Sequence, residues 1–405
     1  MDELNLQIPI NTLGMGMHGL GYYKVLKMGG IKVNVEPITP VDDTTEGEIR
    51  SLCENLELDY GELMMDVARP GNPDIPELIV WHPGNLRGRP YVGSTVTACV
   101  TFETTAFQFH EHSSMNSVDR VVTCSDWGRK VLEDAGIEDA GVLHGPAWPL
   151  YLKNTHRSEI ISAVWEQLKL PGIERCALSV GKWESRKMHQ TVVGAMGCRK
   201  FFASPNMQDI VLVGCWNNMF VGGLNKPVKY LTEMEFAVER VINTPMGHVY
   251  LFKHRDPDNR SKILVLPHVP GYRDILAIYG KCLHFLCASA GEGWNLPLVD
   301  AMALGLQCTA TSNTAHTEYI TSKNAAVIGC SEEVAEDGIW FRSDRGNWFP
   351  PIMAIGVNTA YGLTGNLRWN TFNAKQAAID IERICAADVL CDDIMTTCYE
   401  TSKDS

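Results

Sequence analysis

Two carboxylates and a cluster of cations hold the chemistry this sequence can do. Glu292 and Asp300 stand eight positions apart in Ser289-Ala-Gly-Glu-Gly-Trp-Asn-Leu-Pro-Leu-Val-Asp-Ala-Met-Ala-Leu-Gly305. The apolar run Leu283-His-Phe-Leu-Cys-Ala288 before them predicts a buried parallel strand. Pro297 suits the first turn of a helix, where no amide donor is needed, and Gly305 suits its C-terminal cap. A strand, a loop of Gly293, Trp294, Asn295 and Leu296, and a helix N-terminus together make an anion site. Free amides and the positive end of the helix dipole face one point there. A carboxylate beside such a point is electrostatically costly, unless it holds neutral hydroxyls such as those of a ribose or a sugar. Glu292 in the loop and Asp300 in the first helical turn are placed for that work.

Lys182, Arg186 and Lys187 form a second group, in Gly181-Lys-Trp-Glu-Ser-Arg-Lys187. They follow the predicted strand Cys176–Val180 and lead into a helix. Cations at a strand end can neutralise a diphosphate. Lysine does so as a point charge, and arginine as a fork.

These segments resemble retaining GT-B glycosyltransferases, in particular the GT4-like family. Its E-x7-E motif usually reads E-G-F-G-L-P around the first acid and has Glu as the second. Here Trp294, Asn295 and Asp300 stand instead, and Asp is one methylene shorter. Lys182 and Lys187 resemble the family's G-R-x(4)-K element, with Lys in place of Arg. Phe102-Glu103-Thr104, Cys124-Ser125 and Leu143-His144-Gly145 follow the order of an F-E-T strand end, a P-S helix cap and a P-H-G exit. The resemblance covers most of residues 80–320.

It implies two Rossmann-like domains with parallel sheets facing each other across a cleft. Residues 1–150 would form the acceptor-side domain, 151–172 the connection and 173–372 the nucleotide-sugar domain. Residues 373–405 would form a helix packing back on the first domain. It further implies a UDP-, GDP- or ADP-sugar donor, with the base near Val269-Pro270, and no required cofactor or metal. The activity implied is a hexosyl- or pentosyltransferase acting on a hydroxyl acceptor. A glycan, a lipid-linked sugar, a protein or a hydroxymethylated base in DNA would all serve. Glu292 would hold sugar hydroxyls and Asp300 the ribose. His82 and Glu103, at N-domain strand ends, are the further catalytic candidates, with His110 and His112 next in order after His82, and His144 as a cleft-facing residue. Arg87 and Arg89 could line an anionic acceptor groove.

The N-terminal part allows a different class. Leu4–Ile10 predicts a strand. Gly14, Gly16 and Gly19 then spell G-x-G-x-x-G before a helical period over Tyr22–Met28, with Glu36 at the end of the next strand. Taken alone, this pattern fits an NAD(P)-dependent oxidoreductase. In a GT-B protein, Gly14 and Gly16 would instead belong to a loop facing the donor. A non-catalytic sugar-nucleotide binder is a third reading.

Composition narrows the field. The 405 residues carry a formal charge of −13 and 45% hydrophobic residues. This is ordinary for a soluble chain of two or three domain-sized units, and it disfavours nonspecific nucleic-acid or membrane binding. No apolar run is long enough for a membrane helix. The acidic start, Met1-Asp-Glu, lacks a signal peptide's basic region. The 13 cysteines contain no C-x2-C pair and sit in apolar runs, which predicts buried reduced thiols in a cytoplasmic protein. Alternating strands and helices predict α/β layers. The stretch Trp216–Met246 predicts an extra helix over about Leu231–Ile242. Residues 335–370 show no clean period, and Ala374–Cys385 is strongly helical.

Overall fold

A computed structural model describes residues 2–38, 46–86, 91–153, 158–197, 210–218, 220, 222–269, 271–337, 341, 343–352 and 367–400. Arg87, Arg89 and Pro270 lie outside them. The first sheet has the order β2-β1-β3-β4-β5-β6, and all its pairs are parallel. Its strands are β1 (Glu3–Ile8), β2 (Lys32–Pro37), β3 (Glu77–Trp81), β4 (Val96–Val100), β5 (Arg120–Thr123) and β6 (Gly141–Val142). The central strands β1, β3 and β4 are almost wholly buried, as strands covered on both faces must be.

The second sheet has the order β14-β13-β12-β7-β8-β11-β10-β9. Its strands are β7 (Cys176–Val180), β8 (Ile210–Cys215), β9 (Phe236–Thr244), β10 (Gly247–His254), β11 (Ser261–Val265), β12 (His284–Cys287), β13 (Gln307–Thr311) and β14 (Ala326–Ile328). Six run parallel, and β10 and β9 add an antiparallel edge.

That edge overturns the helix expected over Leu231–Ile242. A helix does occur, but over Asn225–Glu233, and the chain then turns into β9. β9 is an edge strand, and residues 239–241 are exposed in succession, so its sequence lacks the alternation that marks a half-buried strand. Its Val, Ile and Thr content and its pairing along β10 decide the outcome.

The glycine-bearing loop is also corrected. The helix expected from Tyr22 already begins at Gly14 and runs to Met28, so Gly14, Gly16 and Gly19 all lie within it. Close packing explains two of them. A Cβ on Gly16 would stand 2.3 Å from the Asn11 carbonyl oxygen, and one on Gly19 would stand 2.5 Å from the Ile8 side chain. Spacing alone does not distinguish a loop from the opening turns of a helix pressed onto a strand.

The domains meet over several surfaces. The segment holding β15 (Glu333–Val334) and β16 (Asn347–Trp348) docks on residues 105–111 of the first domain. Ala106 N donates to Arg345 O at 3.1 Å, Asn347 N to Thr105 Oγ1 at 2.8 Å, and Arg345 pairs with Glu111. At the C-terminus, helix Ala387–Glu400 lies on the first domain, where Tyr399 donates to Glu3 O at 2.6 Å. Among the described residues, no helix is long and apolar enough to cross a membrane.

Candidate functional site

A cavity of about 250 Å³ opens between the domains. Its walls come from strand C-terminal ends: Val180 ends β7 and Gly181 follows it, Cys215 ends β8 with Asn217 just beyond, and Pro267, His268 and Val269 follow β11. This is where open α/β sheets bind ligands. Two helix N-termini reach it. Helix Leu296–Ala303 brings Leu296, Pro297 and Asp300. Helix Gly14–Met28, across the cleft, brings Gly14 and Met17, and no side chain caps its first turn. Both dipole ends favour negative charge in the same space. Thr12, Tyr272 and Tyr279 complete much of the wall.

Asp300 is buried in this wall. Its Oδ1 accepts from Trp148 N at 3.2 Å, and its Oδ2 accepts from the Tyr272 hydroxyl. The carboxylate therefore ties the interdomain connection to the second domain. Burial pushes its pKa up to about 7, against the two hydrogen bonds, which favour the charged form. A carboxyl whose folded pKa is raised binds its proton more tightly in the native state. Its contribution is fully present below the unfolded value of about 4 and is lost as pH rises towards 7. Stability should fall across that window by about 1.4 kcal/mol per pH unit at its steepest, relative to an Asp300→Asn variant. Urea unfolding of both proteins at several pH values checks this. Parallel pH profiles for the two would contradict it.

A second cluster lies at the glycine loop. Glu292 is buried, and its Oε1 and Oε2 accept from Lys187 Nζ at 2.5 Å and Arg186 Nη1 at 2.9 Å. Although burial opposes the charged form, Lys187 and Arg186 hold Glu292 well below the usual carboxylate range. Arg186 also donates to Gly291 O at 2.7 Å and Glu184 at 2.8 Å, and reaches Glu103 of the first domain at 3.7 Å. Lys182 is more exposed, with its ammonium 4.7 Å from the Phe220 ring centre. The imidazole of His82 senses the charges of Glu103, Lys182 and Glu111, and desolvation lowers its pKa. The fold thus joins Glu103, Arg186, Lys187 and Glu292 in one ion-pair network, with the exposed His82 and Lys182 as ionisable neighbours of Glu103.

The remaining predicted residues have different surroundings. Gly16 does not line the cavity. A Cβ on Gly293 would stand 2.8 Å from Thr101 Cβ, so the loop passes close over the end of β4. Trp294 is buried against the first domain and donates from Nε1 to Pro146 O at 3.1 Å. Asn295 takes a left-handed φ of 71°, and its side chain accepts from Leu298 N at 3.4 Å. His144 pairs with Glu318 at 2.9 Å. His112 contacts Ala135 O at 2.8 Å through Nε2, and His110 lies beside Gly84.

Several residues at the site carried no sequence signal. His316 Nδ1 donates to Thr311 O at 2.8 Å, which leaves Nε2 to accept from Asn295 Nδ2 at 2.8 Å. Glu292 N donates to Thr314 Oγ1 at 2.9 Å. Tyr272, Asn217 and Thr12 reach the cavity only through tertiary packing.

No family model matches the sequence, and no curated protein matches it. Solved structures do match the fold. Sucrose-phosphate synthase from Thermosynechococcus elongatus superposes with a TM-score of 0.62 at 13% identity, covering 100% of both chains. A glycosyltransferase from Rickettsia africae gives 0.60 at 13% identity, covering 100% of this chain and 99% of the other. Alr3699/HepE from Anabaena, in complex with UDP, gives 0.56 at 13% identity, covering 99% and 100%. The likeness is one of fold: the chain has the GT-B architecture of two Rossmann-like domains.

Proposed function

We propose that this protein is a retaining glycosyltransferase, similar to the GT4-like family. It would move a sugar from a nucleotide-diphosphate sugar to a hydroxyl acceptor. The observation that carries this reading is the interdomain cavity, which has two helix N-termini and Asp300 in its wall and the Arg186–Lys187–Glu292 cluster in the same cleft. HepE, of the same fold, is solved with UDP and with UDP-glucose, which supports a nucleotide-sugar donor here.

In this reading the nucleotide occupies the cavity, with its base beside Pro267–Val269 and its ribose hydroxyls on Asp300. Lys187, Arg186 and Lys182 receive the diphosphate. Glu292 then exchanges part of its ion pairing for the sugar hydroxyls. Transfer breaks the bond from the anomeric carbon to the leaving phosphate oxygen and forms the bond to the acceptor oxygen on the same face. The acceptor proton passes to the departing diphosphate, so no protein nucleophile is needed. This differs from the paired carboxylates of retaining hydrolases. Glu103 and His82 stand at the acceptor side of the reacting carbon.

The test is to incubate the protein with UDP-, GDP- and ADP-sugars and a panel of hydroxyl acceptors. Nucleoside diphosphate release and the anomeric configuration of the product, read by NMR, are the observables. Release of one nucleoside diphosphate with a retained anomer is expected. An inverted product would remove the retaining mechanism, and no release with any donor would remove the activity.

A further inference from the structure

Three side chains from separate elements converge inside the first domain, away from the charged cluster. His18 comes from helix Gly14–Met28, Cys99 from β4, and Cys124 from the end of β5. One ring nitrogen of His18 and the two Sγ atoms lie within 4.8 Å of one another, and His18 Nε2 is 3.9 Å from Cys124 Sγ. Both cysteines are 0% exposed, and His18 is 3% exposed. The Tyr22 hydroxyl borders the trio at 3.7 Å from Cys99 Sγ and donates to His144 O at 2.7 Å.

The donor set is soft. Two thiolates and an imidazole select zinc or copper(I) and reject magnesium and calcium, which take oxygen ligands. Bond lengths of about 2.3 Å to sulfur and 2.0–2.1 Å to nitrogen put zinc ligands roughly 3.5–4 Å apart, a spacing that the His18–Cys124 pair meets at 3.9 Å. Charge separates the two soft metals. A divalent ion with two thiolates and a neutral imidazole is electrically neutral, as full burial demands. A monovalent ion would leave a net negative charge.

We propose that His18, Cys99 and Cys124 form a zinc site at the core of the first domain. Binding replaces two thiol protons: one zinc ion enters, two protons leave, and His18 presents its Nε2 lone pair while Nδ1 keeps its hydrogen. No oxidation is involved. The ion would staple the helix whose N-terminus lines the interdomain cavity to β4 and β5. Through Tyr22 it lies next to Leu143 and His144, where the chain leaves the domain. The site therefore braces the point where the chain leaves the first domain, independently of the reaction proposed above.

Purified full-length protein is incubated with zinc, gel-filtered and assayed for bound metal, and a parallel sample is loaded with cobalt(II). The wild-type chain should retain one zinc, and the cobalt form should show sulfur-to-metal charge transfer in the near ultraviolet. Cys99→Ser and Cys124→Ser should lose both signals. Cys330→Ser, in the second domain, should keep them. If the serine variants fail to fold, His18→Gln decides, with far-ultraviolet circular dichroism confirming its fold: it should lose the zinc and the zinc-dependent rise in Tm. A wild-type protein with no stoichiometric zinc and no charge-transfer band would overturn the proposal. Equal metal retention by wild type and His18→Gln would also overturn it.

Discussion

Lys187→Ala is expected to lower kcat for sugar transfer by about 10²–10³-fold while leaving a folded protein. The ammonium lies in a largely water-excluded part of the cleft, with a side chain 13% exposed, and sits beside a guanidinium that already has three acidic neighbours. As the diphosphate departs, negative charge grows on its oxygens. A preorganised donor aimed at developing charge is worth about 2.7–4 kcal/mol in the transition state, which is that range of rates. The fold should survive because Glu292 keeps Arg186 as a partner. Initial rates at saturating donor, with circular dichroism as a control, make the comparison. An unchanged kcat in a destabilised protein would make Lys187 a structural ion-pair member and nothing more.

Glu292→Ala should abolish transfer and also cost about 3–5 kcal/mol of stability, as when one partner of a buried ion pair is removed. Two cations would then face each other in the cleft with less compensation. Arg186 retains Glu184 at 2.8 Å, but Lys187 loses its 2.5 Å partner. The sign of the coupling makes the test specific. Removing Lys187 as well should return part of the lost stability, so Lys187→Ala/Glu292→Ala should unfold at a higher urea concentration than Glu292→Ala alone. Additive effects would show that the two side chains do not share the interaction described here. Full transfer by the Glu292→Ala enzyme would take this residue out of the site.

These two residues were legible in the sequence because each lies in a local pattern. Lys187 follows a strand end by a fixed interval, and Glu292 sits in a glycine-bearing strand-to-helix turn. The same holds for the parallel strands around them, whose unbroken apolar runs reflect burial on both faces. Local patterns failed in two places. At β9 an edge position erased the alternation that marks a strand. At Gly14–Gly19 the motif's spacing was present, but Gly19 serves helix-on-strand packing against Ile8 and Gly16 lets the helix close on the Asn11 carbonyl. The rest of the site depends on contacts between residues far apart in the chain. Trp148 and Tyr272 hold Asp300 from two directions, and His316 positions Asn295 from 21 residues away. No window of sequence contains those pairs. Trp294 shows a related limit: its position in the motif is readable, but its reach to Pro146 follows only from how the domains close.

The most direct test of the central claim is a thermal-shift panel of UDP-, GDP-, ADP- and CDP-sugars, run beside NAD(H) and NADP(H). A ligand that binds only the native state at a hundredfold excess over its dissociation constant stabilises it by about 2.7 kcal/mol. The account predicts a clear rise in Tm with one nucleotide-sugar class, reduced in Lys187→Ala. A rise with a nicotinamide dinucleotide alone, unaffected by that substitution, would contradict it and return the function to the helix that begins at Gly14.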